Sequence, residues 1–551
     1  MERELNTVRD TVESVWVAVI LAFVLRAFMI EAFVIPTGSM APRLLGEHWQ
    51  LVCPACGYDY SYGVPSSAQN HPDFDRARPQ TPTGATCPNC GCTYPAAMLP
   101  DYPRSGDRVL VMKYLYRLRD PEPWDVVVFR NPQSNRDNYI KRVIGLPGER
   151  IEIVHGDVFV DKGDGQWRIR AKPPQAQKAV WQVIYDNDYP PNAELYAKLD
   201  RLGASPPGWA LTMGRWDLTG QDGRRFLYPG GDRAEIAFSA GQDAFLPHYG
   251  YNLPSTEAQS IDRFTDICSD LELSAVFVPQ TGDCRLSLLL SSFERRFKAE
   301  ICADGKVWLW HEGPDSPPGQ WEMWGRRQLK PLAKGGCHEV ALAHADFRVA
   351  LWLDGQEVLA STEQQYPADY NWLKARVATN RDGRIIRPIP TPQVSFVAEG
   401  GPSELWHVRL FRDVFYTCPQ LQPVERDASP LWDFARWMQR RGRLADRGSG
   451  WGTTGNPIKL AKFPGRPELD QFFVLGDNSP QSLDGRCWTK AAPTLRLTDQ
   501  KTGETLYQLG TVPRYGLIGK AFFVYWPAGF GVPKLPGLPI LPNVGKMRLI
   551  R

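Results

Sequence analysis

The chain begins with a strongly apolar segment. Residues 15–25 form an unbroken apolar run that continues, with two charged interruptions, to Ile35. A membrane-spanning helix needs about 20 mostly apolar residues, so the unbroken part alone equally fits a core helix or the centre of a signal peptide. A cleaved signal peptide ends in small residues, whereas this run continues with bulky side chains towards Pro36. We therefore predict a retained transmembrane anchor over residues 1–35.

Beyond the anchor, the pattern changes to short segments of alternating apolar and polar residues. Segments 106–111, 124–129 and 139–145 are predicted strands, and in the third Lys141 points opposite to Ile140. Similar segments between residues 273 and 355, separated by Gly and Asp turns, are typical of a β-sandwich. The 48 Gly and 48 Pro residues also favour turns and short strands. The predicted fold class is mainly β.

Composition and charge exclude some classes of function. The 551 residues are 43% hydrophobic and 23% charged, which is ordinary for a globular protein of several domains. The 64 Lys and Arg against 61 Asp and Glu leave a net charge of only +3. Because binding to a phosphate backbone needs a concentrated basic surplus, nucleic acid is not an expected partner.

A candidate nucleophile follows the apolar run directly. Ser39 lies in the Pro-bracketed turn 36–42, where Gly38 allows close approach of the backbone. A serine in such a turn is most often an ordinary turn residue. Two later segments change this interpretation, namely the lysine strand with its turn, YIKRVIGLPGE at 139–149, and GDNSPQSLDGR at 476–486.

These segments, in this order, resemble the type I signal peptidases, membrane-bound serine proteases that use a Ser/Lys dyad. The matching blocks cover about residues 10–45, 104–175 and 465–530, under half of the chain. The resemblance implies Ser39 as nucleophile, Lys141 as general base, and Thr37 with the Ser39 amide as the oxyanion hole. Thr37 and Gly485 depart mildly from the usual residues of the family, and neither removes a reacting group.

The resemblance also implies supporting roles. Ser482 would orient the lysine ammonium. Three charged residues of segment 476–486, which we call the late segment, would shape the loop that it forms: Asp477, Asp484 and Arg486. Five residues are candidates for lining the substrate pockets: Ile35, Pro36, Met40, Tyr139 and Ile140. Ordinary core or turn positions are the alternative for these five.

A lysine base requires a lowered pKa. A free lysine amine has a pKa of about 10.4 and is protonated at neutral pH. Burial among apolar neighbours disfavours the ammonium and can bring the pKa to roughly 7–8. Ile140, Val143 and Ile144 supply apolar character around Lys141. We therefore expect Lys141 to be buried.

The expected function is a membrane-bound serine endopeptidase that removes signal peptides from exported preproteins. Its partners would be preproteins and membrane lipid, and catalysis would need no cofactor. The expected location is the cell membrane, with a single span and the catalytic domain on the extracytoplasmic side. One alternative is a self-cleaving Ser/Lys repressor, which would need a DNA-binding domain. The other is a catalytically inactive, membrane-tethered protein that binds a glycan or a protein.

The cysteines indicate a metal site. Two C-P-x-C-G knuckles contain Cys53, Cys56, Cys87 and Cys90, the spacing of a four-thiolate zinc ribbon. Structural zinc is expected, with disulfides or free thiols as alternatives, and Cys92 is an extra thiol. The redox state of the scattered cysteines does not follow from the sequence: Cys268, Cys284, Cys302, Cys337, Cys418 and Cys487.

In the predicted domain organisation, two insertions interrupt a β-rich catalytic domain. This predicted domain comprises residues 36–50, 104–184 and 466–551. The insertions are the zinc ribbon at 51–103 and the β-sandwich at 185–415, and a connection follows at 416–465 with a short helix at 433–439. The sandwich resembles the concanavalin/laminin-G-like jelly rolls. Its Trp308, Trp310 and Trp321 are either glycan- or protein-binding residues or part of the core.

Overall fold

A computed structural model provides the structure of the chain. It describes all residues except 1, 65–83, 101–102, 135–136, 200–205, 241, 248–250, 252–266, 379–385, 417–449, 480–481, 496–502, 504–505, 533–534, 542 and 551. The predicted short helix at 433–439 and most of the predicted connection 416–465 therefore lie outside the described residues.

The N-terminal apolar run is divided between a helix and a strand. Helix α1 (Glu2–Val24) continues as a π-helical turn (Leu25–Met29), and strand β1 (Ile30–Val34) follows. Among the described residues, no helix is long and apolar enough to cross a membrane. The single transmembrane helix predicted within residues 1–35 is thus not confirmed. The first half of α1 is polar, and the last part of the apolar run pairs as a strand with residues 108–112.

The remaining elements before the large insertion are short strands and two short helices. They are β2 (His48–Val52), β3 (Asp59–Gly63), β4 (Gly84–Thr86), β5 (Thr93–Pro95), β6 (Arg108–Met112), α2 (Leu115–Leu118), β7 (Val126–Arg130), β8 (Asn138–Gly145), β9 (Arg150–Val154), β10 (Asp157–Asp161), β11 (Trp167–Ile169) and α3 (Pro174–Val180).

The insertion is a two-sheet β structure. Its elements are β12 (Gln182–Asp186), α4 (Ala193–Leu199), β13 (Gly208–Met213), β14 (Asp217–Gly220), β15 (Arg225–Tyr228), β16 (Gly231–Ser239), β17 (Leu271–Pro279), β18 (Arg285–Ser292), β19 (Arg295–Cys302), β20 (Lys306–Glu312), β21 (Glu322–Gln328), β22 (His338–Ala345), β23 (Arg348–Leu353), β24 (Gln356–Ala360), α5 (Tyr370–Arg376), β25 (Val394–Gly400) and β26 (Ser403–Arg412).

The two sheets of the insertion share one hydrophobic core. One sheet has the order β14-β15-β26-β17-β22-β23-β24, with β12 also paired to β26, and the other has the order β13-β16-β25-β18-β19-β20-β21. Leu273 and Phe277 from the first sheet lie in the same buried cluster as Leu288 and Phe297 from the second. Alternate side chains of each strand face this cluster. The predicted β-sandwich architecture agrees with this arrangement.

The C-terminal part returns to the first domain. Its strands are β27 (Ile458–Lys459), β28 (Gln471–Leu475), β29 (Val512–Pro513), β30 (Leu517–Trp526), β31 (Phe530–Val532), β32 (Leu535–Leu541) and β33 (Arg548–Leu549). Short 3-10 turns occur at Ala96–Met98, Gln242–Phe245, Pro467–Leu469, Pro493–Leu495, Arg514–Gly516 and Val544–Lys546.

One sheet combines strands from the beginning, middle and end of the chain. Its order is β1-β6-β30-β7-β8-β28-β29, with β33 also paired to β30. Strand β7 is buried on both faces, because Val126 and Val128 pack in one cluster while Val127 and Phe129 pack in another. Strand β8, which carries Lys141, lies between β7 and β28. We call this sheet, together with the smaller sheet β11-β10-β9-β27, the catalytic unit.

Candidate active site

Ser39 and Lys141 are brought into direct contact by the catalytic unit. A hydrogen bond of 2.5 Å joins Lys141 Nζ and Ser39 Oγ, although the residues are 102 positions apart in sequence. Lys141 is 3% exposed and Ser39 6%. In β8 the Lys141 position pairs with Val127, while Ile140 packs in the cluster on the opposite face of the sheet. A buried amine at this distance can exchange a proton with the hydroxyl.

Burial makes Lys141 a better base than an ordinary lysine. The pKa of Lys141 is lowered from 10.5 to about 8, mainly because the amine is removed from water, and the nearby Arg486 acts in the same direction. Asp484, Cys487 and Asp477 act in the opposite direction, because negative charge favours the ammonium. The result lies near the upper end of the range useful to a general base at neutral pH. The Tyr139 ring lies 5.4 Å from Nζ.

The turn that carries Ser39 is held in place by the late segment, residues 476–486. The Asn478 amide N–H donates to the Ser39 carbonyl at 3.1 Å, and Asn478 Nδ2 donates to the Gly38 carbonyl at 2.9 Å. Gly476 packs so tightly that a side chain there would clash with both the Ser39 carbonyl and Ser482 Oγ. Residues 476–478 therefore fix the backbone on both sides of the Ser39 α-carbon.

Two buried ion pairs shape the loop. Arg142 donates to both carboxylate oxygens of Asp477, at 2.8 and 2.6 Å, and thereby links the lysine strand to the loop. Arg486 makes the same two-pronged contact with Asp484, at 2.9 and 2.6 Å, and both side chains are 0% exposed. Asp484 Oδ2 also accepts a hydrogen bond of 3.0 Å from the Gly476 N–H. Asp477, Asp484 and Arg486 are thus all held in buried ion pairs.

The predicted hydrogen bond between Ser482 and Lys141 is not formed in the structure. Ser482 Oγ is buried and has no hydrogen-bond partner within the described ranges. Besides Ser39, Lys141 Nζ contacts its neighbouring Ile140 carbonyl at 3.1 Å. Thr37, predicted to contribute to the oxyanion hole, is half-buried two positions before Ser39.

The five predicted pocket residues divide into two groups. Ile35, Met40 and Ile140 are buried in the hydrophobic cluster on one face of the catalytic sheet. Pro36 is exposed and Tyr139 is half-buried. The core alternative therefore describes three of the five positions. Of the other two, Pro36 lies at the surface and Tyr139 packs against the hydrophobic cluster on the other face of the sheet.

Sequence reasoning missed three residues that contact this site. Arg142 follows Lys141 directly, and Asn478 lies inside the late segment, so both belonged to the quoted segments but carried no assigned role. Cys487 follows Arg486, and its buried thiol donates to the Ser482 carbonyl at 3.5 Å. The sequence around Cys487 contains no pattern that predicts its position near Lys141.

The four cysteines of the two knuckles come together as predicted. Their sulfur atoms all lie within 4.8 Å of one another. Cys53 Sγ is 3.6 Å from Cys90 Sγ, and Cys56 Sγ is 3.7 Å from Cys87 Sγ. Each of the ten described cysteines is a free thiol in the structure, while Cys418 lies outside the described residues.

The tryptophans of the sandwich lie outside its core. Trp308, Trp310 and Trp321 are half-buried and are absent from the buried cluster between the two sheets. Lys298 Nζ lies 5.1 Å from the rings of both Trp310 and Trp321. The core interpretation of these three residues is therefore wrong.

Comparison with known proteins identifies the catalytic unit. A sequence profile of the family described as "Signal peptidase, peptidase S26" matches residues 96–230 and 460–526. This part of the chain is similar to the signal peptidases of family S26. The predicted resemblance to the signal peptidases is confirmed for these residues.

Curated signal peptidases match limited parts of the chain. Signal peptidase I of Rickettsia bellii is 27% identical over 143 residues, which are 26% of this chain and 36% of that protein. A probable signal peptidase I-2 of Synechocystis sp. is 44% identical over 61 residues, 10% of this chain and 28% of that protein. The chain thus spans about a third of the length of these relatives.

Comparison with solved structures gives matches to part of the chain. The carbohydrate-binding module CBM66 from Bacillus subtilis covers 37% of this chain and 94% of its own, with a TM-score of 0.23 and 12% identity. This similarity is too weak to support a statement about function.

Proposed function

We propose that the protein is a membrane-associated serine endopeptidase that removes signal peptides from preproteins. The observation that carries the proposal is the buried 2.5 Å contact between Ser39 Oγ and Lys141 Nζ. Lys141 lies within the residues that match the signal peptidase family. The lowered pKa of Lys141 supports the same assignment, because a serine next to a permanently charged ammonium would lack a base.

The chemistry follows from these two groups. Neutral Lys141 accepts the Ser39 proton while Oγ attacks the scissile carbonyl, and the Ser39 amide with the Thr37 hydroxyl stabilises the oxyanion. The lysine ammonium then donates its proton to the departing amine, which leaves an acyl-enzyme. A water molecule, deprotonated by Lys141, hydrolyses the ester and restores Ser39.

An unpaired strand edge supports binding of an extended peptide beside the dyad. Within β8, the pairing with β28 is confined to positions 142–145. Positions 138–141 pair with β7 and have no other strand neighbour in the described part of the chain. A peptide could add there as a strand, with alternate side chains directed towards the enzyme. Because Met40 and Ile140 already fill the space below, small residues would fit best.

Exposed apolar side chains at the N-terminus support attachment to a membrane surface. Six residues of α1 are more than half exposed: Val15, Trp16, Val17, Ile20, Leu21 and Phe23. Burying such a surface in the lipid interface is favourable. The catalytic unit would then act at the extracytoplasmic surface, where exported preproteins arrive. The bound lipid is a partner of α1 rather than of the active site.

The test is cleavage of a model preprotein. The detergent-solubilised protein is incubated with a preprotein that has an Ala-x-Ala site and with a matched one in which both alanines are replaced by Trp. Cleavage only after the Ala-x-Ala site, located by N-terminal sequencing of the product, supports the proposal. No cleavage by a folded protein would contradict it and would favour a catalytically inactive, membrane-tethered binding protein.

Activity should rise with pH through the pKa of Lys141. Below about 8 the ammonium form predominates and cannot accept the Ser39 proton, so kcat should fall in proportion to the neutral fraction. Measuring kcat between about pH 6 and pH 10 checks this expectation. A rate that is constant across this range would contradict Lys141 as the base.

The four-cysteine cluster is proposed to bind structural zinc. Tetrahedral zinc with metal–sulfur bonds of about 2.3 Å requires sulfur–sulfur distances of about 3.8 Å. The two observed distances of 3.6 and 3.7 Å fit this requirement. Cys53, Cys56, Cys87 and Cys90 would occupy all four positions, which leaves none for catalysis.

Removing one ligand should release the metal. Cys90→Ser is expected to reduce the bound zinc from about one equivalent to nearly none, because three thiolates hold the ion much more weakly. Zinc content per purified chain is measured by elemental analysis. Cys92→Ser is the matched control, since Cys92 lies nearby but outside the cluster of four. Equal zinc content in both variants, or none in the unaltered chain, would contradict the site.

A further inference from the structure

A tyrosine from the inserted sandwich lies against the turn that carries the nucleophile. A Cβ atom built on Gly38 would lie 2.5 Å from Tyr251 Cε1 and 2.9 Å from Tyr251 Oη. The Tyr251 ring therefore occupies the space where a side chain at Gly38 would be. Gly38 is the residue directly before Ser39, so any movement of this ring reaches the nucleophile through one peptide bond.

The same place is a junction between the insertion and the catalytic unit. A small cavity there is lined from the catalytic unit by Ala41, Pro42 and the loop residues 477–479. From the insertion side, Gln182, Pro247, Arg412 and Phe415 line it together with Tyr251. The insertion thus forms one wall beside the nucleophile turn.

The Tyr251 hydroxyl lies beside Gly38 but makes no hydrogen bond there. Tyr251 Oη is buried and has no hydrogen-bond partner among the residues that the structure describes. Burial raises the pKa of this hydroxyl, and the nearby Asp107 carboxylate raises it further. The group is therefore a neutral phenol that contributes shape. A buried hydroxyl without a partner is unfavourable, so its removal should not weaken the contact.

We propose that Tyr251 is a positioning residue for Ser39, which makes the inserted sandwich a working part of the peptidase site. Asn478 holds the Gly38 and Ser39 carbonyls through hydrogen bonds. Tyr251 packs against the Gly38 α-carbon and limits its movement from the side of the insertion. Together they keep Ser39 Oγ within reach of Lys141. This inference rests on the proposed peptidase function.

The variants separate the ring from the hydroxyl. Tyr251→Ala should lower kcat about 10- to 100-fold with little change in KM, because small displacements of a reacting group have effects of this size. Tyr251→Phe should retain the wild-type kcat, since the ring remains. Trp321→Ala is the matched control, an aromatic truncation on the outer face of the same sandwich, and should leave both constants unchanged.

A second measurement does not depend on cleavage. Hydrogen exchange of the peptide covering residues 36–46 should be at least tenfold faster in Tyr251→Ala than in Tyr251→Phe or Trp321→Ala. If the wild type cleaves the preprotein and Tyr251→Ala matches it in both kcat and exchange, the positioning role is overturned. A kcat loss in Tyr251→Phe equal to that in Tyr251→Ala would also overturn it. If the wild type does not cleave while exchange follows the expected order, the proposed function fails and the contact stands.

Discussion

Replacing Lys141 by Met should abolish cleavage of a signal-peptide substrate while the protein stays folded. Met is similar in length and apolar, so it fits the buried position, but it cannot accept the Ser39 proton. Loss of a general base costs about 10²- to 10⁴-fold, and we expect the upper end because the structure shows no other base in contact with Ser39 Oγ among the described residues. The rate of product formation, measured by gel or mass spectrometry, checks this.

Matched variants make the Lys141 result specific. Ser39→Ala should reduce activity as strongly, and the double variant no further, because the two groups act as a unit. Lys162→Met removes an exposed lysine in the β10–β11 turn and should leave the rate unchanged. Substantial cleavage by Lys141→Met, with a melting temperature like that of the wild type, would remove Lys141 from the mechanism.

Breaking the ion pair of Asp484 and Arg486 should give a large loss of stability. Both side chains are 0% exposed, so Arg486→Met leaves the Asp484 carboxylate buried without its cation. Removing one partner of such a pair costs about 3–5 kcal/mol of unfolding free energy. The Ser479 hydroxyl and carbonyl would also lose their contacts with Arg486, at 2.8 and 3.2 Å. Urea unfolding of both proteins measures the difference.

An exposed pair is the control for this measurement. Arg168 and Asp164 contact each other at 2.7 Å but are 45% and 47% exposed. Solvent screens such a pair, so Arg168→Met should leave the urea midpoint unchanged. If Arg486→Met shifted the midpoint no more than Arg168→Met does, the buried pair would not stabilise the late segment.

Local motifs were sufficient to predict that Ser39 and Lys141 belong to one site. The features that the motifs missed depend on pairing between segments that are distant in sequence. Ser39 and Lys141 were predicted because each lies in a short segment of specific composition. Residues 30–34 were assigned to a helix because they continue an apolar run. They form a strand because residues 108–112, far away in sequence, offer a pairing edge. A single-sequence pattern contains no information on that partner.

The boundary of the sandwich and the role of Tyr251 depended on long-range contacts in the same way. The predicted sandwich began at residue 185, whereas β12 starts at Gln182 and pairs with β26, the last strand of the insertion. Tyr251 lies in no recognisable motif, and only the folded chain shows that it packs against Gly38. The proximity of the four cysteines, in contrast, was predictable because both knuckles are local and have the spacing typical of a zinc ribbon.

The strand order of the sheet that contains β8 also restricts when the contact between Ser39 and Lys141 can form during synthesis. Strand β30 lies between β6 and β7, although it is made about 400 residues after them. Until it leaves the ribosome, the half of the sheet containing β1 cannot join the half that carries Lys141. Closing such long loops is slow. A chain that stops before β30 therefore lacks the strand that joins these two halves of the sheet.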